Sequence, residues 1–247
     1  DIWSRGRRPT PDRLGVYHRA RGLLLPGSAV LREIDRLGFY DGEEEDARGR
    51  ARPKLIAETP AQLALFFDVR GEPCGLHVTH LSMDWSRKAQ FRGEDGEILY
   101  PKKMRGSKKG AHLVLREVAP GQPCRLFLAE GIETCLSVAT ALQATGALRQ
   151  TDRFWAAGDL GNLGGKALGT VAHPTLKTKA GRAQRVPDAT PDMASPGIVI
   201  PDCVTDLVLL GDGDSEPFAT DLAMQRGRAR YARPGLRVEV AMAAPGM

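Results

Sequence analysis

Three carboxylates with glycine neighbours stand where buried runs of the sequence end. Glu130 follows the apolar run "RLFLA", and Asp212 and Asp214 alternate with glycines in "LVLLGDGD". Glycine adds no side-chain bulk, so charged groups can come close together at such points. Carboxylates about 4 Å apart repel one another by roughly 1–4 kcal/mol per pair, and a bound divalent cation removes that repulsion. The pattern therefore predicts a metal site.

The residue types indicate which metal and which chemistry this site serves. Carboxylate oxygens without nearby thiolates or imidazoles favour Mg²⁺ or Mn²⁺ over zinc. Such an ion is commonly shared with substrate phosphates, which predicts phosphoryl or nucleotidyl transfer. The four cysteines contain no C-x-x-C pair, so neither a zinc site nor a disulfide framework is expected.

Each acidic motif also has a simpler interpretation. Glu130 alone would suit the N-terminus of the helix that follows it, where acidic residues are favoured. "GDGD" alone is typical of a turn. Asp212 could also be a phosphoacceptor, but that role has no need of a glutamate at the end of another strand.

The elements that position these acids alternate between strand and helix from residue 123 onward. Strands are predicted at "RLFLA", "RFWAAG" and "DLVLLGDGD", with helices over 133–145 and from about 218 to 231, and a last strand near the C-terminus. This alternation predicts an α/β domain whose mostly parallel sheet is flanked by helices. Ligands of such sheets bind beyond the carboxyl ends of the strands. The segment of about 173–202 is rich in proline, and its apolar residues show no helical or strand periodicity, which predicts an inserted loop.

The sequence before residue 123 predicts a smaller region of different character. Residues 1–58 are predicted to form a helical lead-in, with two short helices over 12–37, and the acidic run at 41–46 is predicted to be a solvated loop. Residues 59–122 are predicted to form a basic α+β subdomain. It would begin with a hairpin made of "LALFFDV" and "CGLHVTHLS".

Positive charge is concentrated in this second region. The net charge is +5 and the pI about 9.2, and basic residues outnumber acids between residues 85 and 116. A clustered basic stretch is typical of phosphate binding, although a solvated lysine-rich loop would look similar. The candidates for binding nucleic acid or nucleotide are Arg87, Lys88, Arg92, Lys102, Lys103, Arg105, Lys108 and Lys109.

"LAEGIET" and "LLGDGDSEP" together resemble the two motifs of the Toprim domain, the metal-binding fold of topoisomerases and bacterial-type primases. "LALFFDVRGEPCGLHVTHLS" is similar to the strand-turn-strand that precedes this domain in bacterial primases. "YPKKMRGSKKGAHLVLRE" is similar to their basic stretch, which ends in a Lys-Gly pair. The resemblance covers roughly residues 60–247 and implies a Toprim domain over 123–247. It is strongest to primases of phages, prophages and plasmids, which are often joined to a helicase.

The resemblance implies a role for each matching residue. Asp212 and Asp214 would be the metal-binding D-x-D pair, and Glu130 would act in acid-base catalysis or metal coordination. In the resembling family an aspartate stands four residues after the glutamate. Here Thr134 occupies that position and the acid is Glu133, one residue earlier. Glu216 and Pro217 stand where that family has Ala-Gly.

The resemblance therefore predicts the catalytic core of a DNA primase. Its substrates would be nucleoside triphosphates, its cofactor Mg²⁺ or Mn²⁺, its template single-stranded DNA, and a helicase domain or subunit a further partner. The alternatives are phosphodiester cleavage of the Toprim nuclease or topoisomerase type, and a non-catalytic DNA-binding module attached to a helicase. The sequence has no apolar run long enough to cross a membrane and no signal peptide, so a cytoplasmic location is expected. We also expect the chain to be a piece of a longer protein.

Overall fold

The computed structural model describes residues 1–27, 29–119 and 121–242. The chain forms two compact units. Unit 1 comprises residues 1–65 and 75–107, and unit 2 comprises residues 66–74 and 108–247. The last residues of the predicted Toprim domain, 243–247, lie outside the described part.

Unit 1 is built around an antiparallel sheet. Its elements in chain order are α1 (Ile2–Arg5), α2 (Leu14–Ala20), β1 (Leu31–Glu45), β2 (Ala51–Phe67), β3 (Pro73–His80), β4 (Phe91–Arg92), β5 (Ile98–Leu99) and β6 (Lys102–Gly106). The boundary between the units falls within β2 and β3. The four-stranded sheet has the order β1-β2-β3-β6, and β4 and β5 pair separately. Buried side chains such as Leu37, Leu63 and Val78 form its core.

Three sequence predictions fail in unit 1. Residues 31–37, predicted to be helical, begin the long strand β1, and the acidic run predicted as a loop at 41–46 lies largely on that same strand. The predicted boundary at residue 58 falls inside β2, so the region 1–58 contains strands as well as helices. The reason is long-range pairing. The register from Leu31↔Ala64 to Glu45↔Ala51 satisfies backbone groups that a local pattern cannot assign.

Unit 2 contains a five-stranded sheet with helices. Its elements in chain order are β7 (Leu113–Arg116), β8 (Cys124–Ala129), α3 (Ile132–Ala144), β9 (Asp152–Ala156), α4 (Leu160–Gly164), β10 (Thr170–Lys177), β11 (Ala183–Pro187), β12 (Val204–Gly211), α5 (Pro217–Tyr231) and β13 (Arg237–Met242). The sheet order is β13-β12-β8-β9-β7. Only β7 is antiparallel to its neighbour. The predicted mixed α/β fold with a mostly parallel sheet is confirmed.

The predicted loop at about 173–202 contains a hairpin instead. β10 and β11 pair antiparallel, with Val171 opposite Val186. Three arginines from α5 and the residues after it donate to backbone carbonyls of this insert and, in one case, of Gly165 before it. These contacts are Arg226 to Gly165 and Asp188, Arg230 to Asp192 and Ser195, and Arg233 to Ile200 and Pro201. The insert is therefore held by side chains from a distant part of the sequence, and local periodicity could not reveal this.

No helix within the described ranges is long and apolar enough to cross a membrane.

A buried histidine should make the stability of unit 2 depend on pH. The His112 ring stacks on Trp155 with 3.7 Å between ring centroids, and burial lowers the pKa of His112 from 6.5 to about 4. Below pH 6.5 the unfolded chain binds a proton that the folded chain excludes. Stability is therefore complete above that pH and falls as the pH decreases towards 4.

His112→Phe keeps a ring in place but cannot titrate. When the pH is lowered from 7 to 4.5, the free energy of unfolding of wild type should fall by about 2 kcal/mol more than that of this variant. Urea denaturation at the two pH values measures this difference. The variant should keep some pH dependence, because burial and the charges of Lys103 and Arg105 lower the pKa of His80 in unit 1 to about 4 as well. Equal losses in both proteins would contradict the prediction.

Candidate functional site

The carboxyl ends of β8 and β12 lie side by side. The two strands are parallel neighbours, with Leu210 of β12 opposite Ala129 of β8. Glu130 directly follows β8, and Asp212 directly follows β12. The apolar side chains of both strands are buried, which fixes the register and leaves the two acids at the same edge of the sheet.

The loop after β12 bends back towards Glu130. The Asp214 N–H donates to Oδ1 of Asp212 at 3.4 Å, and the Ser215 N–H donates to the carbonyl of Asp212 at 3.4 Å. The Ser215 hydroxyl donates to Oε2 of Glu130, also at 3.4 Å. Asp212 is half-buried and Asp214 is exposed. The structure thus brings Glu130 and the D-x-D loop together.

The site has no preformed cage of metal ligands. Within residues 1–27, 29–119 and 121–242, no group of three or more His, Cys, Asp or Glu side chains is arranged to hold a metal ion. Magnesium commonly takes one or two protein carboxylates and completes its shell with water and substrate phosphates. Two or three accessible carboxylates at a strand edge fit that coordination, and so does the absence of thiolates among them.

Glu130 and Glu133 occupy different positions relative to α3. The N-cap of the helix is Gly131, so Glu130 lies one residue before the cap. Glu133 lies in the first turn of the helix, where the helix dipole favours an acidic residue. The preference for an acidic residue at a helix N-terminus therefore explains the presence of Glu133 more directly than that of Glu130. The Glu130 carboxylate accepts a hydrogen bond from the Ser215 hydroxyl.

A third strand end carries an acid that the sequence analysis missed. β9 is the parallel neighbour of β8, and Asp159 follows it by three residues. The Gly158 N–H donates to the carbonyl of Glu130 at 2.7 Å, with Gly158 at φ +88°, a conformation that favours glycine. The signal was available in "WAAGD", where a Gly-Asp pair follows an apolar strand as it does in "LLGD".

Two of the predicted basic residues lie in unit 2, at a turn close to Asp159. Lys108 Nζ lies 2.5 Å from Asp159 Oδ2. Lys109 is exposed, and the next residue, Gly110, has φ +70°. The Gly110 N–H donates to Oδ1 of Asn162 at 2.8 Å, which attaches this Lys-Gly turn to α4.

The other six basic candidates belong to unit 1. Lys102, Lys103 and Arg105 lie on β6, Arg92 lies on β4, and Arg87 and Lys88 precede β4. Lys103 Nζ is 2.9 Å from Asp41 and 4.6 Å from the ring centroid of Phe39. The Arg92 guanidinium donates to the Gly96 carbonyl at 3.0 Å. The basic stretch is therefore divided between the two units.

Glu216, which departs from the resembling family, has a structural role. Its carboxylate accepts the N–H groups of Phe218 at 3.0 Å and Ala219 at 2.6 Å, and so caps α5. The Ala219 N–H is the main cause of the lowered pKa of Glu216. His173 on β10 places Nε2 3.0 Å from Glu216, and its Nδ1 accepts the N–H groups of two residues that follow it. Nε2 is thus the nitrogen that carries the proton of the neutral ring.

Fold and site together define a two-unit protein with an acidic edge on a mostly parallel α/β sheet. A family model described as "Domain of unknown function (DUF7146)" matches residues 1–115. No curated protein matches the chain significantly. The chain is similar in structure to the DnaG primase catalytic domain bound to single-stranded DNA, with a TM-score of 0.39 and 13% sequence identity. The match covers 83% of this chain and 51% of that one, so the chain spans about half the length of the solved domain.

Proposed function

We propose that this chain is the catalytic core of a DNA primase that joins nucleotides on a single-stranded DNA template in a metal-dependent reaction. The observation that carries the proposal is the contact between the Ser215 hydroxyl and Glu130, which joins the D-x-D loop of β12 to the end of β8. The resemblance of "LAEGIET" and "LLGDGDSEP" to the Toprim motifs supports it independently.

Each acid has a distinct task in this proposal. Asp212 and Asp214 would hold Mg²⁺ or Mn²⁺, and Glu130 would complete the site or accept the proton of the attacking 3′-hydroxyl. Glu133 is a further candidate ligand. When bound, the metal would neutralise the triphosphate and lower the pKa of that hydroxyl.

The basic residues would bind the phosphates. Lys108 and Lys109 lie in the same unit as the acidic edge and would contact the incoming nucleoside triphosphate. The six candidates of unit 1 would give affinity for template phosphates that is independent of sequence and weakens as salt is raised. A helicase partner and an origin in a phage or plasmid stay predictions of the sequence resemblance.

Glu130→Gln tests the proposal. We expect wild type to extend a product on single-stranded DNA with labelled nucleoside triphosphates and Mg²⁺ or Mn²⁺. Glu130→Gln should lower this rate about a hundredfold, because the amide neither accepts a proton nor binds a cation strongly. The measurement is product length on a denaturing gel.

Glu239→Gln is the matched control, because Glu239 lies exposed on the edge strand β13, where it pairs with Arg237. Its rate should equal that of wild type. A parallel incubation without nucleotides separates the rival functions. Metal-dependent cleavage of the DNA would favour nuclease chemistry, and DNA binding with neither reaction would favour a non-catalytic module.

A further inference from the structure

The side chain of Asn162 forms hydrogen bonds with three backbone groups in two segments of unit 2. Its Oδ1 accepts the Gly110 N–H at 2.8 Å, and its Nδ2 donates to the carbonyls of Ala111 and Ala157, each at 2.8 Å. The side chain is buried, so all of these bonds form away from water. The Lys-Gly turn is thereby attached to the residue that directly follows β9.

Asp159 holds the same turn through its charge. Its Oδ1 accepts the Asn162 N–H at 2.6 Å, and its Oδ2 lies 2.5 Å from Lys108 Nζ. Both carboxylate oxygens thus already have partners within the protein.

The turn and Glu130 are linked through a short stretch of backbone. Ala157, a hydrogen-bond partner of Asn162, and the next residue, Gly158, both contact the end of β8. The Ala157 N–H donates to the Ala129 carbonyl at 2.9 Å, and the Gly158 N–H donates to the Glu130 carbonyl at 2.7 Å. These backbone hydrogen bonds, together with the ion pair between Lys108 and Asp159, define the position of Lys108 relative to the acidic edge.

We infer that Asp159 and Asn162 are positioning residues that hold Lys108 beside the acidic edge, so that its ammonium group meets the phosphates of an incoming nucleoside triphosphate. This inference rests on the proposed function and adds to it the part of the site that recognises the nucleotide. A lysine has four flexible side-chain torsions, and fixing it before the substrate arrives removes an entropic cost of binding.

The sign of the effect separates positioning from simple electrostatics. Asp159→Asn keeps an oxygen that can cap α4 but loses the ionic partner of Lys108. Removal of a carboxylate near a phosphate should by itself strengthen phosphate binding. Loss of positioning should weaken it instead.

The experiment measures equilibrium binding of a fluorescent nucleoside triphosphate with Mg²⁺, together with KM and kcat for synthesis. Asp159→Asn and Lys108→Gln are each expected to raise the Kd and the KM about tenfold, as expected for loss of one charge-assisted contact, with a smaller change in kcat. In the Lys108→Gln background, Asp159→Asn should cause no further loss, because the lysine that pairs with Asp159 is already absent.

Asp192→Asn is the matched control. Asp192 also pairs with a lysine, Lys166, at 3.0 Å, and it also accepts a backbone N–H, from Ala194. The nucleotide affinity of the Asp192→Asn variant should equal that of wild type. Unchanged or tighter binding by Asp159→Asn, or additive losses in the double variant, would overturn the inference.

The two proposals can fail separately. If wild type synthesises primers but Asp159→Asn binds nucleotide normally, the inference fails and the proposed function stands. If wild type binds no nucleotide and makes no product, both fail.

Discussion

Asp212→Asn is expected to lower the rate of primer synthesis by on the order of a thousandfold while leaving the fold intact. Mutation of residues that merely contact a metal ligand already costs 10–100-fold in metal affinity or activity, and loss of a charged ligand should cost more. The fold should survive because asparagine has the same shape and its amide oxygen can still accept the Asp214 N–H. Asp214→Asn should behave in the same way.

The measurement is the rate of product formation on single-stranded DNA across a range of Mg²⁺ and Mn²⁺ concentrations. Asp206→Asn serves as the control, because Asp206 lies on the same strand, β12, several residues before its acidic end, and pairs with Arg237 at 3.1 Å. Circular dichroism should be unchanged for both variants. If the rate of synthesis by Asp212→Asn were within a few fold of the wild-type rate, the primase assignment would be wrong.

Asn162→Ala is expected to destabilise unit 2 by about 3–5 kcal/mol. The substitution leaves one N–H and two carbonyls without their side-chain partner. Each lies on a buried residue, and an unsatisfied buried group costs about 1–3 kcal/mol.

Two measurements detect this loss of stability. Urea denaturation monitored by tryptophan fluorescence gives the free energy of unfolding, and hydrogen exchange at the Gly110 N–H reports the broken bond directly. Gln143→Ala removes an exposed amide from α3 and should change stability by no more than about 0.5 kcal/mol. If Asn162→Ala were as stable as that control, with Gly110 still protected, water would have replaced the amide and the network would not be structurally important.

Part of the site could be predicted because it follows from local pattern. "RLFLA" and "LVLLG" are apolar runs of strand length, each ending at glycine and an acid, and the alternation with helices predicts that they are parallel. Parallel strands end at one edge of the sheet, so the sequence alone predicts that Glu130 and Asp212 lie there. The neighbour relationship between β8 and β12 agrees with this placement.

The parts that could not be predicted depend on partners far away in the sequence. β1 is a strand because β2 pairs with it, although its own residues also suit a helix. Arginines of α5 and of the segment after it hold the insert by hydrogen bonds to its carbonyls. Each of these arginines lies more than thirty residues after the carbonyl that accepts its hydrogen bond. Asn162 has no recognisable motif, and its role appears only when Gly110 and Ala157 are brought to it.

The sequence by itself determined the order of the sheet strands and of the helices α3 and α5 in unit 2, the position of Glu130, Asp212 and Asp214 at strand ends, and the clustering of positive charge. Each of these is a property of neighbouring residues. Only the tertiary structure decided which strands pair, that the strand before Asp159 lies beside β8, and that Asp159 holds Lys108. The physical reason is that pairing and side-chain contacts form between groups distant along the chain, where local propensity carries no information about the partner.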